Sequence, residues 1–243
     1  MRYRSRRRDG AGQYGPRITA IIVYLYVGQF FSKKRTAQAL AELFGAPVSE
    51  GTVATMTRRA ADGLGGFLAR LTDRLADAEV AGFDVTGLRV AGKLHWVHCA
   101  RTDKYALITC HPKRGRKGTD DAGVLGRFQG LAVHDAWAPY DTYPGVEQKH
   151  NALSRRLIDR QDDYLRFTTD PRILADKNGS ERDIRMIKLR QKVSGCLRTL
   201  TGAKQFCAIR SYLSTATKHG RHFFDSLVML AGGRPGLPAN PMT

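Results

Sequence analysis

The sequence contains few cysteines and no long apolar run, and each shortage excludes a class of protein. Its four cysteines, Cys99, Cys110, Cys196 and Cys207, are spread over 243 residues, and no two of them form a C-x-x-C pair. This spacing argues against a disulfide framework and against a zinc knuckle. The uncharged stretch Ile18–Phe31 has 14 residues, fewer than the ~20 that a membrane-spanning helix needs. We interpret it as a buried helix.

Acidic residues are scarce relative to basic ones. The chain has 40 Lys and Arg against 22 Asp and Glu, a formal net charge of +18. Residues 1–80 carry +6 and residues 81–243 carry +12, and residues 181–221 contain ten basic but only two acidic side chains. A helical segment of this kind favours a polyanionic partner, above all nucleic acid. A basic protein without a nucleic-acid function is the alternative.

The first eight residues contain five arginines and do not have the pattern of a secretory signal. We expect a basic arm here. Together with the dispersed cysteines, this predicts a cytoplasmic, nucleoid-associated protein without a membrane partner.

Residues 1–79 have helical periodicity and predict a helix-turn-helix-like DNA-binding module. A short helix over Arg35–Phe44 is stopped by Gly45, and Ser49 can cap a second helix that runs to about Gly63. An ordinary helical hairpin that packs on a core is the alternative. The residues expected on the exposed face of the second helix are Thr52, Thr55, Arg58 and Arg59.

Residues 80–231 predict an α/β domain, with a loose tail over residues 232–243. The predicted strands are Val80–Val90, Leu94–Ala100, Lys104–Cys110 and Gly130–Ala136, with hairpin turns at Gly92-Lys93 and Thr102-Asp103. A basic loop and a short helix over Ala122–Phe128 precede the fourth strand, which suits parallel pairing after a crossover. Further helices are expected over residues 147–169, 181–191, 201–219 and 223–231.

Three carboxylates are candidates for chemistry. Asp135 ends the fourth strand on the same face as two apolar residues, and Asp84 lies inside the apolar first strand. Glu181 follows Ser180, which with Asp183 resembles a capping box. On a helix, Glu181, Ile184, Arg185 and Lys188 share one face.

Three carboxylates close together repel one another by ~4 kcal/mol per pair near 4 Å at an effective dielectric of ~20. Hard divalent cations such as Mg²⁺ remove this penalty, and two of them can activate an attacking oxygen and stabilise a leaving one. Ordinary salt bridges to arginines are the alternative for these acids.

Six blocks of the sequence carry a resemblance to a known family: Gln13–Pro16, Ser49–Thr52, Asp84–Val90, His134–Tyr140, Ser180–Met186 and Gln191–Cys196. In this order they resemble the insertion-sequence transposases of the sixty-six family, and the resemblance covers most of the chain. The resemblance implies a ribonuclease-H-like mixed sheet with flanking helices after the helical N-terminal module. It also implies that Asp84, Asp135 and Glu181 are the catalytic, metal-binding residues of a DDE transposase. Mg²⁺, or Mn²⁺ in its place, would then support cleavage and strand transfer of double-stranded DNA by a homo-oligomer.

The chain departs from the family pattern at several positions. Val85 stands where the family usually has Glu, and Asp176-Lys177-Asn178 stands where the family tends to have Asp-Asn-Asn. Near Gly145–Asn151 the chain lacks a further strand and a long helical insertion, so that Asp135 and Glu181 are only 46 residues apart. The usual region ahead of Gln13 is also missing. We interpret the chain as an internally deleted, N-terminally shortened transposase.

Basic residues outside the carboxylate set are candidates for DNA contacts. They lie in the predicted second helix, in the loop before residue 118 and beside Glu181: Arg58, Arg59, Lys113, Arg114, Arg116, Lys117, Arg185, Lys188, Arg190 and Lys192. A zinc group of His95, His98, Cys99, Cys110 and His111 is disfavoured because these residues alternate between faces of adjacent strands.

Two functions are therefore expected from the sequence. The first is a DDE transposase that acts on DNA phosphodiesters. The second is a non-catalytic basic protein that occupies transposon ends or inhibits an intact transposase by mixed assembly. Both predict DNA affinity that falls with salt, and only the first predicts Mg²⁺-dependent nicking.

Overall fold

The computed structural model describes residues 14–134, 138–143 and 178–236, and for residues 138, 141 and 178–182 it describes the backbone alone. Asp135, the predicted helix over residues 147–169, the joint near Gly145–Asn151 and residues 237–243 of the predicted tail lie outside the described residues.

The N-terminal segment is helical, as predicted. Its helices are α1 (Pro16–Val23), continued by a π-helical turn (Tyr24–Gly28), α2 (Lys33–Phe44), α3 (Glu50–Asp62) and α4 (Gly65–Ala76). The Ser49 side chain caps α3 by accepting a hydrogen bond from the Thr52 N–H at 3.0 Å. Gly45 ends α2 with a φ of +59°, a conformation that glycine adopts at little cost. The predicted helix boundaries on both sides of this turn are thus confirmed.

The four predicted strands form one mixed sheet. They are β1 (Val80–Val90), β2 (Lys93–Arg101), β3 (Ala106–His111) and β4 (Leu131–Val133), in the order β3-β2-β1-β4. β1 and β2 pair antiparallel, as do β2 and β3, whereas β4 pairs parallel to β1. The predicted meander and crossover are confirmed.

Three local predictions were wrong. The β2–β3 connection runs over residues 102–105 and not over Thr102-Asp103 alone, because Arg101 pairs with Ala106. The β1–β2 turn is formed by Ala91-Gly92 and not by Gly92-Lys93, because Val90 pairs directly with Lys93. Both turn residues have positive φ, +49° and +77°, which a two-residue turn matching strand twist requires. The helix expected over residues 122–128 lies earlier, as α5 (Arg116–Asp121), and residues 122–127 form turns and a bend.

The outer edge of β3 and the faces of the sheet are covered by helices. After residue 177 the chain forms α6 (Asn178–Ser194), α7 (Leu200–Lys218) and α8 (Phe223–Ala231). Helix α7 covers the outer edge of β3, where its Ser211 Oγ accepts the Ile108 N–H at 2.8 Å and donates to the Ile108 carbonyl at 3.1 Å. An edge strand is protected in this way from pairing with another chain. Helix α5 lies on the face of the sheet that contains His98, where its Gly118 approaches the His98 ring.

The N-terminal helices and the sheet share one hydrophobic core. Phe67 of α4 packs edge-on against Tyr212 of α7, with ring centroids 5.1 Å apart. Leu40, Leu71 and Ile209 are fully buried in the same cluster. Burial of these side chains couples the two segments that the sequence analysis divides at residue 80. Within the described residues, no helix is long and apolar enough to cross a membrane.

Candidate active site and its basic surroundings

Asp84 lies in the middle of β1 and is half-buried. It is paired across the sheet with Cys99, while Gly82 of β1 is paired with Arg101. Because side chains two residues apart share a face of a strand, Asp84, Cys99 and Arg101 belong to one face. The Asp84 Oδ1 atom accepts a hydrogen bond from the Val85 N–H at 2.8 Å.

Helix α6 packs on this same face and runs in the direction of β1. At its beginning, Asp183 pairs with Arg101, which stands opposite Gly82 near the start of β1. Just after its end, Leu197 forms a parallel bridge with Val90, the last residue of β1. Ile184 and Ile187 are buried along the helix, at 3% and 1% exposure. The first turns of α6 therefore lie over the half of the sheet that contains Asp84.

Asp183 is the centre of a half-buried ionic cluster. Its Oδ1 accepts the Ser214 hydroxyl at 2.6 Å, and its Oδ2 lies 3.3 Å from the Lys218 ammonium and 3.6 Å from Arg101 Nε. The three charged side chains are 13–19% exposed. The cluster joins α6 to α7 and β2, and it replaces the predicted capping box: α6 begins at Asn178, so Ser180 is not the capping residue.

The Cys99 thiol is buried within this face. Burial raises the pKa of Cys99 strongly, and the Asp183 and Asp84 carboxylates raise it further. Burial likewise raises the pKa of Cys110 to about 11. These thiols are therefore neutral at physiological pH. Asp84 and Asp183 both raise the pKa of the same buried thiol, that of Cys99.

Of the three predicted metal ligands, only Asp84 has a described side chain. Asp135 lies outside the described residues, and Glu181 lies in the first turns of α6, where the backbone alone is described. Among the side chains that are described, no group of three or more His, Cys, Asp or Glu residues comes together.

Most of the candidate DNA-contacting residues are exposed. Seven are at the surface: Arg58, Arg59, Lys113, Arg116, Lys117, Arg185 and Lys188. Lys192 is exposed as well. Arg114 is half-buried, with its guanidinium 4.9 Å from the centre of the Trp96 ring, a distance typical of a cation–π contact.

Arg190 differs from the prediction. It is only 4% exposed, and its guanidinium carbon lies 5.2 Å from the Tyr26 ring centre and 5.4 Å from that of Phe206. The helical period turns position 190 towards the aromatic interior, whereas Arg185, Lys188 and Lys192 face outward. Arg190 is therefore not a surface phosphate contact.

The strand register separates the residues that resemble a zinc group. Cys99 and Cys110 lie on the face of the sheet that α6 covers, since their partners are Asp84 and Val97. His98 and His111 lie on the other face, where Gly118 of α5 approaches the His98 ring.

A family model described as "Transposase IS66 family" matches residues 11–153 and 143–205. The chain belongs to the IS66 transposase family. The two matched segments of this IS66-family chain overlap at residues 143–153. A search among curated proteins found no significant match.

Four charged residues of this IS66-family chain were missed by the sequence analysis as a group: Arg101, Asp183, Arg210 and Lys218. They come from β2, α6 and α7. The only local signal is a charged residue within a buried stretch, as at Arg101 on β2 and Lys218 on α7. Their convergence depends on the packing of α6 and α7.

Proposed function

We propose that this IS66-family chain is a ribonuclease-H-like DDE transposase that cleaves and joins DNA at the ends of an insertion sequence. Asp84, Asp135 and Glu181 serve as the ligands of Mg²⁺ or Mn²⁺. The single observation that carries this proposal is the packing of α6, which contains Glu181, on the face of the sheet that contains Asp84.

The register of β4 supports the pairing of the two aspartates. Val133 of β4 is paired in parallel with Gly82 of β1. Asp84 and Asp135 each follow two residues later in the sequence. Continued parallel pairing would set the two residues side by side, on the face that also contains Gly82 and Val133.

The course of α6 supports the third ligand. Position 181 precedes Asp183 by two residues, and at about 100° per residue it lies on roughly the opposite flank of the helix. The flank of Asp183 faces α7, so position 181 belongs to the flank away from α7. Arg185 and Lys188, which are exposed, lie on that same flank.

The donor set suits a hard divalent cation. All three side chains offer carboxylate oxygens, the ligands that Mg²⁺ prefers. Asp84 is half-buried, and the Val85 N–H fixes one of its oxygens. Bound cations would stabilise the attacking and leaving oxygens of an in-line displacement.

The surrounding cations serve to position the DNA. Arg185, Lys188 and Lys192 are exposed along α6, and we assign them to backbone phosphates of double-stranded DNA. Lys113, Arg116 and Lys117 form a second exposed basic group before and within α5. We propose that both groups are used in a homo-oligomer that holds two transposon ends.

Mg²⁺-dependent nicking tests the catalytic proposal. Purified protein is incubated with duplex DNA that contains the insertion-sequence end, with Mg²⁺ or with EDTA. We expect nicking with Mg²⁺ only, and its loss in Asp84→Asn, Asp135→Asn and Glu181→Gln, because each change removes a charged oxygen ligand. Electrophoresis of end-labelled DNA measures the product.

The matched control is Asp103→Asn in the exposed β2–β3 turn, which should nick like wild type. Nicking that persists in all three ligand variants would refute the site. DNA binding, measured in EDTA for each variant, separates a lost metal site from a misfolded chain.

A second candidate function is favoured by the overlap of the two matched segments. The predicted joint, near Gly145–Asn151, lies within the overlap at residues 143–153. This coincidence supports an internal deletion that brings Asp135 close to Glu181 in sequence. A shortened chain that binds transposon ends without cleaving them would retain salt-sensitive DNA binding, show no nicking, and inhibit an intact transposase when mixed with it.

A further inference from the structure

A cavity of about 310 Å³ lies between β2 and the three C-terminal helices. Its lining includes the apolar residues Met186, Leu213 and Phe223. It also includes the charged residues Arg101, Asp183, Arg210 and Lys218. The volume is at the lower end of the range of small-molecule sites, about 300–1,000 Å³.

The lining contains three cations and a single carboxylate. Asp183 uses one oxygen for the Ser214 hydroxyl and shares the other between Lys218 and Arg101. The Arg210 guanidinium lies 5.9 Å from the centre of the Phe30 ring, and its buried Nε has no hydrogen-bond partner within the described part of the chain. The lining thus has a net charge of +2, and the Arg210 Nε is an unused donor. Arg101 and Lys218 also donate to the Thr102 carbonyl.

Burial makes this excess of positive charge costly. It lowers the pKa of Lys218 and of Arg210, although the Asp183 carboxylate acts in the opposite direction on both. A buried cation that lacks a full counter-charge is stabilised by any anion that can reach it. The lining side chains Arg101 and Lys218 are 19% and 14% exposed, so solvent reaches the cavity.

We propose that this cavity binds a phosphate monoester. Such a group carries close to two negative charges at neutral pH and offers three acceptor oxygens, which matches the net charge of +2. Guanidinium groups bind phosphate oxygens through paired hydrogen bonds. The apolar lining residues can contact the organic part of the ligand.

The same chemistry has two sources: the 5′-phosphate of a DNA strand end and a free nucleotide. The DNA source rests on the proposed transposase function, whereas binding of a free nucleotide does not. Of the three proposed metal ligands, only Asp84 has a described side chain, and it is not among the residues that line the cavity.

Isothermal titration calorimetry with deoxyadenosine monophosphate tests the assignment, at fixed ionic strength and without divalent cations. We expect saturable binding of the nucleotide and none of deoxyadenosine, which lacks the phosphate. Arg210→Met should weaken binding about tenfold or more, because it removes charged hydrogen bonds. Lys204→Met, which changes an exposed cation of the same helix that pairs with Asp121 outside the cavity, should bind like wild type.

Absence of nucleotide binding, or equal affinity in wild type and Arg210→Met, would overturn the proposal. If Arg210→Met does not fold, amide NMR shifts of the ¹⁵N-labelled wild-type protein show whether the nucleotide binds in the cavity. Shifts induced by the nucleotide at Arg101, Asp183 and Ser214 support the cavity, and shifts confined to the basic loop near Lys113 refute it.

Competition with short DNA distinguishes the sources. A 5′-phosphorylated strand that displaces the nucleotide about tenfold better than the unphosphorylated strand identifies DNA ends, because the two strands differ only in the phosphate. Equal displacement identifies the free nucleotide. Asp84→Asn should retain nucleotide binding. If the nicking assay refutes the catalytic proposal, nucleotide binding in the cavity can still be observed. If nucleotide binding fails, the nicking assay still tests the catalytic proposal.

Discussion

Single residues show how burial changes the role of a charged or titratable group. Arg190 and Arg210 carry the same guanidinium as Arg185, yet Arg190 is 4% exposed among aromatic rings while Arg185 is at the surface. His98 is another such residue, at 5% exposure. Its Nε2 donates to the Lys113 carbonyl at 3.3 Å, and its buried Nδ1 has no hydrogen-bond partner in the described part of the chain.

We predict that His98 makes the protein less stable in acid. Burial is the main reason that its pKa lies below 6.5 in the folded state, so the unfolded chain binds a proton that the folded chain does not. The free energy of unfolding should therefore fall as the pH drops through about 6.5, by at most about 1.4 kcal/mol per pH unit. Urea titrations at pH 7.5 and pH 5.5 measure this difference.

His98→Gln should reduce the difference between the two pH values, because an amide does not titrate. His219, whose pKa burial also lowers, accounts for part of what remains. The control is the exposed His222→Gln, which should leave the difference unchanged. An equal pH dependence in wild type and His98→Gln would contradict the explanation.

At the scale of elements, helix α6 is decisive because it connects the sheet with α7. Its boundaries extend beyond the predicted 181–191 at both ends, to 178–194. The spacing of apolar residues and the positions of turn residues predicted most helices and strands, because both depend on residues that are close in sequence. They misplaced α5, because Arg116–Asp121 contains no large apolar side chain and the apolar residues that follow it are packed in turns.

We predict that Asp183→Asn loosens α6. The change leaves Arg101 and Lys218 half-buried without their carboxylate, which costs about 3 kcal/mol of unfolding free energy. Amide hydrogen exchange should accelerate in the first turns of α6 more than in α3, which lies away from the cluster. Asp62→Asn, at an exposed pair with Arg58, should cost less than about 1 kcal/mol. Unchanged exchange in α6 would show that apolar contacts alone hold the helix.

For the whole molecule, net charge and the shared core are the dominant properties. The excess of 18 positive charges is spread over both segments of the chain, and a single core joins them. The family assignment and the polyanion prediction came from sequence, because both depend on composition and on ordered blocks of residues. The contact between α4 and α7 did not, since it joins positions far apart in the chain.

We predict that duplex DNA binding weakens steeply with salt. If six or more phosphates are neutralised, affinity should fall by ~10³ or more between 50 and 200 mM salt, because bound counterions are released. Fluorescence anisotropy with labelled end-containing duplex measures the slope. A combined Arg185→Gln and Lys188→Gln variant should flatten it, whereas Arg58→Gln, with a carboxylate neighbour at 3.8 Å, should change it less. A slope near zero would contradict binding through phosphates.

The sequence by itself determined the family, the basic charge, the strands and most helix ends of this protein, because these follow from side-chain type and from contacts within a few residues. Tertiary structure decided which face of the sheet α6 covers, which cations Asp183 meets and that Arg190 is buried. Those outcomes depend on how whole helices pack to bury apolar surface, and no local pattern specifies the partners that a charged side chain then finds.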